Sequence, residues 1–209
     1  MHTCTLLKNY LFFRIEQINI YFKSLNKLFC KWSVSRREEW SLILFYMAIF
    51  PPTVIIRHRR ENLKKCSLRG LEGKDGFVFY RYPDGIPLVD FSEYVLLDID
   101  GEPLSSHDAH KGLFLIDATW RLAGKMLKTL APILPKERRS IPLGVRTAYP
   151  RRQQDCIDPS AGLASIEALY VAHIILGRPV EDLLNQYHWK DIFLSMNSLT
   201  SMAKNGKII

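Results

Sequence analysis

Leu113-Phe114-Leu115-Ile116-Asp117-Ala118-Thr119-Trp120 is the stretch that decides the fold. Its four consecutive apolar residues, bounded by Gly112 and Asp117, read as a strand covered on both faces. Beyond the acid, Trp120, Ala123, Met126, Leu127 and Leu130 recur at helical spacing. Pro132 and Pro135 close that helix. A buried strand running straight into a helix is the repeating unit of α/β sheets, which bind ligands beyond the carboxyl ends of their strands. Asp117 stands at such an end, where it can hold a substrate hydroxyl or take a proton. The same residues also suit a plainer role, in which Asp117 or Thr119 caps the helix.

Working outward, Thr53-Val54-Ile55-Ile56, Phe77-Val78-Phe79-Tyr80 and Tyr94-Val95-Leu96-Leu97 read as three earlier strands. Ile141-Pro142-Leu143 is a short segment suited to a sheet edge or to the neighbourhood of a site. Residues 165–176 form a helix that Gly177 and Pro179 end in the expected order, and 180–197 read as one or two more helices. Strands, helix, strand and helices in that order give a three-layer α/β unit.

The hydrophobic fraction of 47% supplies a core of ordinary size for one domain. Residues 1–46 differ from the rest: they contain no Ala, Gly, Pro or Asp, and all four types become frequent after Met47. We therefore expect 1–46 to be a non-native extension, with translation starting at Met47, followed by an N-terminal half over 47–134 and a C-terminal half over 135–209. The apolar run before Pro51-Pro52 is shorter than the roughly 18 residues a membrane span needs, so no membrane partner is expected. Cys4, Cys30, Cys66 and Cys156 include no CxxC pair, which fits free thiols in a reducing cytoplasm better than disulfides or zinc. The net charge of +8 suits a polyanionic partner. Residues 1–46 carry half of it, with seven Lys/Arg against three Glu, so the position of the charges matters more than the total.

Two further features bear on chemistry. From Cys156 to Ala168 a loop of small residues runs into a helix start, where backbone N–H groups can bind a carboxylate or ribose oxygens, unless Ser165 is simply the cap. Basic clusters flank these segments: Arg57, Arg59, Arg60, Lys64 and Lys65; Lys136, Arg138 and Arg139; Arg151 and Arg152 beside Tyr149. Cations beside an aromatic suit a phosphate backbone with a base stacked nearby, although a charge run can equally be a solvated face. His107, Asp108 and His110 lack a fourth ligand at a fixed spacing, so no metal is expected. Trp189 reads as a core residue of its helix.

Asp117-Ala118-Thr119-Trp120 matches the D-x-T-W motif of DTW-domain proteins and resembles the D-x-S-W stretch of Tsr3-type rRNA enzymes. Leu163-Ala164-Ser165-Ile166-Glu167-Ala168 is similar to the helix start of both, and Lys64-Lys65-Cys66-Ser67 to the N-terminal signature of the Tsr3 type. The resemblance runs over about residues 53–195. It implies a SPOUT-like fold with a C-terminal trefoil knot, and an aminocarboxypropyltransferase that uses S-adenosylmethionine on tRNA or rRNA, with the protein a monomer. The run Thr147-Ala148-Tyr149-Pro150-Arg151-Arg152 departs from the Tsr3-type cofactor loop and leaves the choice of RNA open.

On this reading Ile141, Leu143 and Leu163 form an apolar slot for adenine. Backbone groups of Ala164 and Ser165 hold the ribose or the adenine edge. Trp120 and Ser67 position the aminocarboxypropyl arm, and Asp117 takes or relays the proton of the uridine-type base, or aligns it. Arg57, Arg59, Arg60, Lys64, Lys65, Arg151 and Arg152 face the RNA. A SPOUT-type RNA methyltransferase with the same cofactor, and an RNA-binding factor without catalysis, remain the alternatives.

Overall fold

The computed structural model describes residues 50–87, 89–150 and 162–199. The 1–46 segment, Arg151, Arg152 and the loop over 156–161 lie outside the described residues. Five strands form one sheet: β1 (Thr53–His58), β2 (Phe77–Tyr82), β3 (Tyr94–Pro103), β4 (Gly112–Asp117) and β5 (Glu137–Ser140). Their order is β2-β1-β4-β3-β5, and every pairing is parallel. Among the described residues three α-helices accompany them: α1 (Trp120–Leu130), α2 (Ser165–Ile175) and α3 (Lys190–Met196).

The alternation of side chains along a strand makes this a three-layer structure. Val54, Ile56, Leu96 and Phe114 point to one face and pack with Met126 and Leu130 of α1. Ile55, Val95, Leu113 and Leu115 point to the other and pack with Ile166 and Leu169 of α2 and Phe193 of α3. Apolar side chains on both faces explain why β1 and β4 read as unbroken hydrophobic runs. At the start of β4 the strand passes against Tyr94 so closely that a Cβ on Gly112 would collide with its ring. The path from Pro150 to Gly162 falls outside the described residues, and with it the threading that a knot requires.

Three boundaries differ from expectation. The fifth strand is Glu137–Ser140, and Ile141-Pro142-Leu143 follows it rather than forming it. Charge pairing explains how so polar a segment becomes a strand: Arg138 pairs with Asp98 at 2.8 Å, and Arg139 with Asp108 at 3.0 Å. The third strand continues past Leu97 to Pro103 through an irregularity in its register with β5. Among the described residues after α2 there is one short α-helix, preceded by turns over 181–186.

The end of α2 follows the sequence signal. Gly177 takes φ +65°, its N–H reaches the Ile174 carbonyl at 3.1 Å, and the Arg178 N–H reaches that of His173 at 2.8 Å. This is the Schellman pattern, which favours glycine at that position. His173 lies buried in the last turn, stacked on Phe77 with centroids 6.0 Å apart, with Nδ1 2.9 Å from the Pro179 carbonyl. Burial holds its pKa down to about 4, from an ordinary 6.5. The unfolded chain therefore binds the proton first as pH falls, so this stability is complete above 6.5 and is lost progressively toward 4. We expect unfolding free energy to drop by about 2 kcal/mol between pH 7 and pH 5 from this residue. Urea midpoints at the two values check it, and the drop should shrink in His173→Phe.

Candidate functional site

Connections leave β1 and β4 in opposite directions, toward β2 and past β3 toward β5, so the two neighbours form a switch point in the strand order. Sheets of this kind open a crevice at the carboxyl ends of such a pair. There the register sets Arg57 directly against Asp117. Arg57 Nε donates to Asp117 Oδ2 at 2.7 Å and Nη1 to Glu72 Oε1 at 2.5 Å, while the guanidinium lies over the Phe79 ring at 4.6 Å. Asp117 is 4% exposed and Arg57 8%.

Two more donors reach the same carboxylate. Cys66 Sγ donates to Oδ2 at 3.3 Å and Ser165 Oγ to Oδ1 at 3.2 Å. Ser67 then accepts from the backbone N–H of Ile166 at 3.4 Å. The β1–β2 connection, the end of β4 and the start of α2 are thus tied together through Asp117. Three of the motifs quoted above meet at one point. The two capping alternatives divide. Thr119 occupies the N-cap position of α1 without a side-chain hydrogen bond, and Ser165 is the first helical residue of α2 and turns to Asp117.

Burial, reinforced by the charge of Asp117, pushes the Cys66 thiol up to about 12. A thiol in that state is a donor, not a nucleophile. Besides Asp117 and Glu72, a third carboxyl, Glu61, lies in the turn after β1, near enough to feel the charges of Asp117 and Arg57. Burial and then the Asp117 charge raise its pKa, against the opposing pull of Arg57. The sequence reading passed over it; a lone acid after Arg57-His58-Arg59-Arg60 was the available signal.

Glu167 organises the second half of the site. It is fully buried and accepts four hydrogen bonds: from Thr147 Oγ1 at 2.6 Å, Ala148 N at 2.8 Å, Ala164 N at 2.7 Å and Tyr187 Oη at 2.8 Å. One carboxylate thereby fixes the loop before Tyr149, the entry to α2 and the turn before α3. Asn197 anchors the same loop from the end of α3, accepting from Arg146 N at 2.7 Å and donating to its carbonyl at 2.9 Å.

The expected site residues separate into groups. Asp117, Ser67 and Ser165 are joined by the contacts above. Trp120 opens α1 half-buried, and Ile141 and Leu163 pack against the core on the α2 side, next to buried Ala164. Leu143 is a correction: it is fully exposed, because the chain leaves the sheet at Pro142 and turns at Gly144, so it lines no apolar slot here. Arg57 is another. Its register with Asp117 carries it inside, so it is part of the site's ion pair and not of an RNA-facing surface. Arg59, Arg60, Lys64 and Lys65 are exposed. Arg138 and Arg139 are engaged at the sheet edge. Asp108 turns inward to Arg139 and the Ser105 N–H, and among the described residues no three His, Cys, Asp or Glu side chains converge as a metal site. Among the described residues no helix is long and apolar enough to cross a membrane.

No family model and no curated protein matches the chain. Among solved structures, the SAM-dependent rRNA:acp-transferase Tsr3 from Vulcanisaeta distributa is similar to it, at 22% identity and a TM-score of 0.53, over 74% of this chain and 83% of that one. The likeness establishes a shared fold.

Proposed function

We propose that the protein transfers the aminocarboxypropyl group of S-adenosylmethionine to a uridine-type base of RNA, releasing methylthioadenosine. The observation that carries this reading is the convergence of Asp117, Cys66, Ser67 and Ser165 at the switch point of the sheet. These residues come from the three motifs that resemble DTW-domain and Tsr3-type proteins, and the fold is shared with an enzyme described as an rRNA acp-transferase. A SPOUT-like knotted path belongs to the same proposal, as does rRNA ahead of tRNA as the substrate.

The residues present fit the cofactor. Its carboxylate and hydroxyls need donors, which the Ser67 hydroxyl and the start of α2 supply. Its adenine needs an apolar neighbour, which half-buried Ile141 and Leu163 supply. Trp120, half-buried at the start of α1 and three residues after Asp117, offers an aromatic side chain past the end of β4. When bound, S-adenosylmethionine supplies a γ-carbon activated by its sulfonium. The protein's contribution is then mainly orientation, which can account for much of the rate. With both Asp117 oxygens already accepting hydrogen bonds, its first task is to hold the crevice in shape and align the base. Glu61 provides a further carboxyl at the same end of the sheet for the departing proton.

The test is transfer to bulk RNA from cells lacking the gene, with S-adenosylmethionine labelled separately in the carboxyl carbon and in the methyl group. We expect carboxyl label in RNA and methylthioadenosine in solution. Methyl label in RNA with S-adenosylhomocysteine released would make the protein a methyltransferase, and absence of both transfer and cofactor binding would leave a non-catalytic RNA-binding factor.

A further inference from the structure

At the same end of the sheet lies a cleft of about 590 Å³ whose lining includes Ser67 and Cys66, the donor to Asp117. One wall is the β1–β2 connection, with Lys64, Lys65 and Arg69; the other carries Tyr149, His188 and Trp189. The walls are held at a fixed spacing. A Cβ on Gly70 would meet the Gln186 side chain at 2.7 Å, so the connection packs directly on the turn before α3. Lys74 Nζ bonds the Asp182 carbonyl at 3.1 Å, and the Tyr187 hydroxyl is bound to buried Glu167.

Lys64, Lys65 and Arg69 are exposed, and none pairs with a carboxylate among the described residues. Opposite them, the His188 and Trp189 rings meet edge to face at 4.7 Å, with Trp189 half-buried against the core and so fixed in place. Cations facing rigid aromatic rings across a nucleotide-sized gap match a phosphate on one side and a stacked base on the other. S-adenosylmethionine is a poor occupant, because its sulfonium and ammonium outnumber its carboxylate and three unpaired cations would repel it.

We infer that this cleft binds a nucleotide of the RNA strand next to the base presented at Asp117, its phosphate between Lys64, Lys65 and Arg69 and its base on the His188–Trp189 edge. The inference rests on the proposed RNA substrate and adds a subsite to it. The Tyr149 ring closes the same cleft from the loop that Glu167 fixes, so the subsite and the transfer site share one support.

The experiment is a fluorescence-anisotropy titration of the full chain with a labelled single-stranded oligouridine at several salt concentrations, with S-adenosylmethionine binding measured in parallel by calorimetry. Replacing Lys64, Lys65 and Arg69 together by Gln should weaken RNA binding at least tenfold and reduce the salt slope by about 0.7, the single-strand value for the one phosphate they hold. His188→Ala and Trp189→Leu should each weaken it about fivefold or more, with cofactor affinity and melting temperature unchanged in the lysine, arginine and histidine variants. Unchanged RNA affinity in the triple and His188 variants overturns the subsite. So does loss of cofactor binding with RNA binding intact, which would assign the cleft to S-adenosylmethionine. If these variants lose RNA binding but the wild-type protein transfers no label, the subsite stands and the transferase reading falls.

Discussion

Asp117→Asn lowers the transfer rate at saturating RNA and cofactor by about 100-fold or more, with cofactor affinity changed only a few-fold. The substitution keeps the shape of the side chain but replaces one acceptor oxygen by a donor. In the native site Oδ2 receives Arg57 and Cys66 while Oδ1 receives Ser165. An amide keeps all three contacts only if its oxygen faces Arg57 and Cys66 and the Ser165 hydroxyl reverses to accept, and buried Arg57 still loses the charge of its partner, so the ties of β1, the β1–β2 connection and α2 to β4 loosen. Displacements of about 1 Å at a reacting centre cost about 100-fold. The isosteric variant is preferable to Asp117→Ala, which would leave Arg57 buried with Glu72 as its remaining partner and destabilise the fold by several kcal/mol. Single-turnover transfer and calorimetric cofactor binding measure the two halves of this expectation. Activity within tenfold of wild type would remove Asp117 from the centre of the site.

The second large effect is on stability. Glu167→Ala is expected to cost about 3–5 kcal/mol, by analogy with breaking a buried charge interaction. Four donors converge on this one fully buried carboxylate, and the truncation leaves the Ala148 and Ala164 N–H groups and two hydroxyls without their acceptor. A buried donor left unsatisfied costs about 1–3 kcal/mol, and partial relaxation keeps the total below the simple sum. Tyr187→Phe removes one of the four donors and should cost about 1 kcal/mol. Urea unfolding of both variants checks the ranking. A loss below about 1 kcal/mol in Glu167→Ala would mean that the loop before Tyr149 finds other partners.

The contrast between these residues and their sequence context shows what could be read in advance. β1, β2, β4, α1 and the start of α2 announce themselves because burial on both faces, or on a helical stripe, demands apolar residues at fixed intervals. Asp117 stood out because it ends such a run. β5 did not, since Glu-Arg-Arg-Ser gains its strand from ion pairs with Asp98 and Asp108 on distant segments. Arg57 was hidden for a related reason: within a basic run it reads as surface, and only the β1–β4 register reveals the acid opposite it. Ser165 suited a cap by position, yet its hydroxyl turns to Asp117. Trp189, read as core, is half-buried and forms a wall of the cleft. Long-range pairing decided each of these, and local pattern carries no record of it.

The polar fifth strand has a consequence of its own. β5 is one of the two margins of the sheet, where unpaired backbone groups would otherwise invite another chain to add itself as a further strand. Along this margin Lys111 grips Glu137 at 2.5 Å, Arg139 is shared among Glu102, Glu137 and Asp108, and Arg138 reaches back to Asp98. An incoming strand would have to dismantle this ionic hem before forming its first ladder bond. The segment least recognisable as a strand is therefore also the guard that keeps an otherwise oily parallel sheet from polymerising along that side.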